Sequence, residues 1–114
     1  MHDRLKTGLW VEAHVKSCHL RDCPAFVLAR GDYDRGGVLL KVDRFSEGVD
    51  LYEQTLDFDG NRVWRLLNKG LEAPEASKRV ARKQGFDPDL WVVEVEDLRQ
   101  IYTPDAPVLT DQMP

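Results

Sequence analysis

Four side chains near the N-terminal end have the chemistry of a metal site. His14, Cys18, His19 and Cys23 read H-x3-C-H-x3-C, and imidazole and thiolate are common zinc ligands. Residues four apart share a helix face, so His14 and Cys18 form a candidate metal pair. His19 and Cys23 would then lie roughly 100–140° away around the axis, and four ligands do not converge from one straight helix. Such a site needs the helix to end near Cys18, or a partner to complete it. The plainer expectation puts Cys18 in the core and both histidines on the surface. Cys18 and Cys23 are also poorly placed for a disulfide if the helix carries both.

A second group lies in the loop Gly31-Asp32-Tyr33-Asp34-Arg35-Gly36-Gly37. Glycine-rich backbone can turn N–H groups toward an anion. Phosphate loops run into a helix, whereas this one runs into an apolar strand, and its two carboxylates repel phosphate. It also lacks the dinucleotide and P-loop spacings. Asp32, Asp34 and Arg35 stand as candidate ligand-binding residues. The alternative is a turn in which Gly and Asp serve conformation alone.

The third group is basic. Lys78, Arg79, Arg82 and Lys83 make one patch on a helix face, suited to RNA or to an acidic protein surface. Arg62, Arg65 and a stacking Trp64 are expected beside it in an RNA site. A solvated charged face is the plain alternative. The acidic block Asp87, Asp89, Glu94, Glu96 and Asp97 has no visible catalytic partners. No serine sits in a nucleophile elbow. The reading therefore leans away from an enzyme, and no cofactor is expected.

These residues need elements to hold them. Pro24 to Arg44 looks like the organiser: Phe26–Ala29 and Val38–Leu40 are apolar runs flanking the glycine loop, which reads as an antiparallel hairpin. Before it, residues 4–22 mix strand-like alternation with a helical stripe, Leu5, Leu9, Ala13 and Leu20. A helix capped by Thr7 and stopped before Pro24 fits better. Val49 to Leu56 alternates as a third strand. Asp59-Gly60 marks a tight turn, and Arg62 to Leu67 returns as a fourth. Pro74 to Gln84 reads as a second helix, with Gly85 as its stop. Leu90 to Val95 is a buried last strand. The expected fold is a single α+β domain over 1–102: helix, antiparallel sheet of three to four strands, second helix, final strand. Residues 103–114, with three prolines, read as a flexible tail. Leu9, Ala13, Val27, Leu39, Val80, Trp91 and Val93 are the expected core.

With 114 residues, 42% hydrophobic and 32% charged, the chain can bury roughly two-thirds of its unfolded surface around one core. A net charge of −4 argues against a general nucleic-acid coat. No apolar run has a membrane-spanning length and no secretory leader is seen. A cytoplasmic protein with reduced cysteines and no membrane partner is expected.

Three blocks then suggest a family: LWVEAHV, AFVLARGDYDRGGVLLKVDR and FDPDLWVVEVED. The chain resembles the alphaproteobacterial domain of unknown function 1491, over about Leu5–Leu56 and Glu75–Asp97. The Arg30-Gly31-Asp32 turn with Gly36-Gly37, and Phe86-Asp87-Pro88-Asp89-Leu90-Trp91, are the most specific pieces. The resemblance implies a small stand-alone bacterial protein and carries no activity or catalytic residue with it. From the residues, the expected function is a non-enzymatic protein-binding or adaptor module, working on an unknown protein partner or as a homodimer. The alternatives are a small-ligand or metal-binding domain at the Gly31–Gly37 loop, possessing or lacking catalysis, and an RNA-binding accessory protein using the basic helix.

Overall fold

The strand WVVEVE cannot lie at an edge: Trp91, Val92, Val93 and Val95 are all buried, so both of its faces must be covered. In the computed structural model, which describes residues 5–109, this segment (β5, Trp91–Glu96) is an inner strand. It pairs antiparallel with β1 (Ala25–Ala29) on one side and parallel with β2 (Val38–Asp43) on the other. Next to β2 come β3 (Val49–Leu56) and β4 (Arg62–Leu71), each antiparallel to its neighbour, and a two-residue strand β6 (Val108–Leu109) parallel to β4. The sheet is thus six-stranded and mixed, in the order β1-β5-β2-β3-β4-β6.

This corrects two expectations. The sheet is not an antiparallel one of three or four strands, and β1 and β2 are not a hairpin. β5 comes between them, because its apolar run needs neighbours on both sides. β1 is left at the margin, with Phe26, Val27 and Leu28 exposed. The chain makes the parallel β2–β5 connection through β3, β4 and the helix α2 (Ala73–Phe86).

Helix α1 (Thr7–Leu20) covers one sheet face. Trp10, Val11 and Cys18 pack on Ala25, Val38, Leu40, Val42, Trp64, Trp91, Val93 and Val95. Helix α2 covers part of the other face through Ala76 and Val80, over Leu39, Leu51, Leu90 and Val92. Of the expected core residues, Leu39, Val80, Trp91 and Val93 are buried, whereas Leu9, Ala13 and Val27 are not. The α1 stripe is rotated from the aliphatic one: Thr7, Trp10, Val11, His14 and Cys18 face inward, and Leu5, Leu9 and Leu20 face out. Burying the larger Trp10 ring decides this, since each polar group on that arc finds a partner below.

The segment read as a tail is described in part. Residues 103–109 are docked, with Asp105 accepting hydrogen bonds from both Trp10 Nε1 and Trp64 Nε1 at 2.9 Å. Pro107 accepts the Trp64 backbone N–H. Prolines hide this segment from any periodic pattern, yet they leave carbonyls and a carboxylate to bond. Residues 110–114 of the expected tail lie outside the described residues.

Candidate functional site

The Gly31–Gly37 loop is built by close backbone packing. Asp32 Oδ2 accepts the Arg35 N–H at 2.8 Å, and the Asp32 carbonyl accepts the Gly36 N–H. The Asp32 N–H donates to the Asp89 carbonyl, and Trp91 Nε1 donates back to the Asp32 carbonyl at 2.8 Å. A Cβ on Gly31 or Gly36 would collide with the Asp89 carbonyl oxygen. The glycines thus serve the approach of loop to connector. Carbonyls of Tyr33 and Asp34 accept the Gly8 and Thr7 N–H groups, and Thr7 Oγ1 donates to Gly36. The loop caps the helix, so Thr7 does not cap it through its own side chain, and two of the orphan amides of its first turn are occupied.

Beside the loop lies an open cleft of about 820 Å³, lined by Lys6, Asp34, Arg35, Gln54, Thr55 and Arg62 among others. Asp34 pairs with Lys6 at 3.7 Å. Gln54 Nε2 is buried there without a hydrogen-bond partner. Asp34 and Arg35 line the cleft and Asp32 does not. Among the described residues that line it, the side chains are polar and charged ones from the loop, β3 and Arg62, with Leu5 and Leu56 beside them, so it has polar contacts to offer.

His14 and Cys18 share the buried side of α1. His14 stacks on Trp10 at a centroid distance of 4.5 Å, and its Nε2 shares a 2.7 Å hydrogen bond with the Tyr102 hydroxyl. Burial holds its pKa below the ordinary value, aided by Arg21 and opposed by Asp105. Burial also pushes the Cys18 thiol up to about 11. His19 turns away to the backbone of Ala25. Cys23 follows a left-handed Asp22 (φ 60°), which folds it back so that its N–H bonds the Cys18 carbonyl. Both cysteines are free thiols. Among the described residues, no three His, Cys, Asp or Glu side chains gather where one ion could sit.

Lys78, Arg79, Arg82 and Lys83 all line one groove of about 770 Å³ between α2 and the β3–β4 pair, with Leu51, Leu67, Leu90 and Phe86. Arg79 bonds Glu75 at 3.1 Å and Lys83 bonds Glu53 at 3.0 Å. Trp64 is not beside them. It is buried on the opposite sheet face, against Trp10, so it cannot stack on a base at this helix.

Sequence reasoning missed a charged cluster. Arg44 Nε donates to Asp50 at 2.7 Å, Nη1 to Asp97 at 2.5 Å and to the Tyr102 carbonyl, and Nη2 to the Tyr52 hydroxyl. Burial opposes the Arg44 charge, but the bonds to Asp50 and Tyr52 outweigh it and hold its pKa above the ordinary value. Asp97 also accepts the Ile101 and Tyr102 N–H groups, and Asp50 the Gly70 N–H. The available signal was a carboxylate at the inner end of an apolar strand, twice: Val49-Asp50-Leu51 and Val95-Glu96-Asp97. Each charge in the cluster is satisfied within the fold, and its work is to tie β2, β3 and β5 at one end.

The comparisons agree with this architecture. A crystal structure of a DUF1491 family protein from Caulobacter crescentus CB15 superposes with a TM-score of 0.83, at 33% identity, covering 93% of this chain and 100% of that one. An NMR structure of a DUF1491 family protein from the same organism gives 0.81 at 32% identity, over 95% and 99% of the two chains. Protein Atu0922 from A. tumefaciens shares the fold, with a TM-score of 0.73, 24% identity and 91% and 100% coverage. No curated protein matches the sequence. The family model described as "Protein of unknown function (DUF1491)" spans residues 5–102, and the chain belongs to that family.

Proposed function

We propose that the protein is a non-enzymatic protein-binding module whose contact surface is the outer edge of β1. One observation carries this reading: Phe26, Val27 and Leu28 are 43%, 38% and 51% exposed in succession on the marginal strand. Consecutive exposed apolar residues on an edge are a pairing surface unless something blunts them. Here the blunting is partial. The Glu96 N–H bonds Pro24, so the alternation of an antiparallel pair turns the backbone groups of Ala25 and Val27 outward. His19 Nε2 sits against both groups of Ala25, 2.9 Å from the carbonyl and 3.4 Å from the nitrogen, and its tautomer decides which one it bonds. Val27 keeps its own, and the apolar side chains flank it. A second copy of the chain is the simplest occupant, because an isologous contact matches one strand with itself. The cytoplasm fits the two free thiols.

A photo-crosslinking residue at Leu28, compared with one at the isolated Phe58, tests the reading in the native cell. An adduct of twice the chain mass supports the homodimer, and an adduct of another defined mass supports a different protein partner. No adduct at Leu28 beyond the Phe58 level would sink it. A second reading, a small polar ligand beside Gly36-Gly37, is favoured by the orphaned Gln54 Nε2 at the cleft. Native mass spectrometry checks it: extra mass that survives Asp32→Ala, Asp34→Ala and Arg35→Ala does not belong to that loop.

A further inference from the structure

We infer that the groove between α2 and the β3–β4 pair binds an acidic amphipathic segment of another protein. It lies three strands away from β1 and rests on different observations from those behind the edge contact.

The first is how α2 is seated. Ala76 and Val80 are its buried residues, and the stripe they begin is not continued. In the last turn the groove is bordered by Lys83 and by Phe86, a ring left 79% exposed. Leu67 is half-buried in the floor, over Leu51 and Leu90, which are themselves buried. The exposed Phe86 ring and the half-open Leu67 beside it are the apolar surface that gains by being covered. Its volume of about 770 Å³ is enough for a few side chains and not for a folded domain.

The second observation is charge. Four cations border the groove against three carboxylates, Glu53, Glu75 and Asp87, in a chain whose net charge is −4. Arg79 and Lys83 are neutralised within the chain. Lys78 and Arg82, four residues apart on one face of α2, have no ion-pair partner among the described residues. A segment that sets apolar side chains on the floor and carboxylates one helical turn apart beside them matches both features. RNA is the rival occupant. The three carboxylates oppose its phosphates as they oppose a peptide's, but with Trp64 buried on the other face it has Phe86 alone to stack on, and Phe86 stands beside Leu67 in a contact suited to apolar side chains.

The test is a titration of the ¹⁵N-labelled full chain with a synthetic peptide of about four helical turns, leucines on one face and glutamates beside them. The same peptide with lysine in place of glutamate, and a uridine oligonucleotide, are run in parallel. Saturable shifts centred on Leu67, Arg82 and Phe86 are expected with the glutamate peptide. The Lys78→Glu/Arg82→Glu variant should bind about tenfold more weakly, since two rim ion pairs become like-charge contacts. Its melting temperature should match that of the parent, because both side chains are exposed. The inference is overturned by equal affinity for the two peptides, by shifts that map away from the groove, by preference for the oligonucleotide, or by no saturable shift. None of these outcomes bears on crosslinking at Leu28.

Discussion

The two helices hold their sheet faces by different means. α1 is fixed by directional bonds along its length: Thr7 to Gly36, Trp10 to Asp105, His14 to Tyr102, and loop carbonyls on its first amides. α2 sits on Ala76 and Val80, and its polar contacts are exposed ion pairs of the kind that contribute little. A face specified by so many geometric constraints has one arrangement and little surface to spare. A face held by a thin apolar stripe leaves its last turn open, with Phe86 exposed and Leu67 half-buried. The candidate groove is on the second face, as that contrast leads one to expect.

The sharpest way to break the contrast is at the Arg44 cluster, which closes the α1 face at one end. Arg44→Met removes the cation between Asp50 and Asp97, whose side chains are 4% and 0% exposed. Breaking one member of a buried pair costs about 3–5 kcal/mol. Urea unfolding should show that loss in the midpoint. A cost below about 1 kcal/mol would mean that water already solvates these carboxylates. Asp105→Ala should come next, because it strips the acceptor from the indole N–H groups of Trp10 and Trp64. Leaving buried donors unpaired costs about 1–3 kcal/mol, read from the same curves.

The outline of this contrast was legible in the sequence to differing degrees. The largely apolar run at Leu90–Val95 announced a buried strand, though not its inner place in the sheet. Val49–Leu56 announced β3, and Pro74 and Glu75 marked the start of α2, which Gly85 did not stop, since the helix runs to Phe86. Each signal is local. The side of α1 that faces inward was not legible, because Thr7, Gly8 and His14 look like surface residues until Gly36, Tyr33 and Tyr102 are placed against them. The position of β1 was hidden for the same reason: Phe26 and Leu28 are apolar, and only the arrival of β5 from far along the chain moves them to an edge. Of the candidate site residues, the basic four do line one groove, and Asp34 and Arg35 one cleft. The floor under the groove comes from β3, β4 and residue 90, and no spacing along α2 encodes it.

Acid should loosen the α1 face first. His14 has its pKa held below the ordinary 6.5 by burial, so it is neutral in the fold while the unfolded chain takes up its proton. Its contribution is present above about pH 6.5 and is lost as pH falls through the folded value. Melting temperature should therefore drop between neutral pH and about pH 5, and His14→Gln should flatten that slope even if it lowers stability throughout. An unchanged slope would show that His14 is already charged in place.

The finest probe makes one chemical change in both helices. At Gly8 an added methyl would run into the Tyr33 ring. Gly8→Ala must displace that ring from α1 and from its edge-on contact with Trp91, at about 1–3 kcal/mol. At Gly85, inside α2, nothing lies within 4 Å of the same methyl, and its φ is not among the positive ones. Gly85→Ala should add about 0.5 kcal/mol by limiting the unfolded chain. Opposite signs would mean that α1 is limited by what it touches and α2 by its own helical propensity. If Gly85→Ala also destabilises, the last turn of α2 is packed more tightly than an open groove allows.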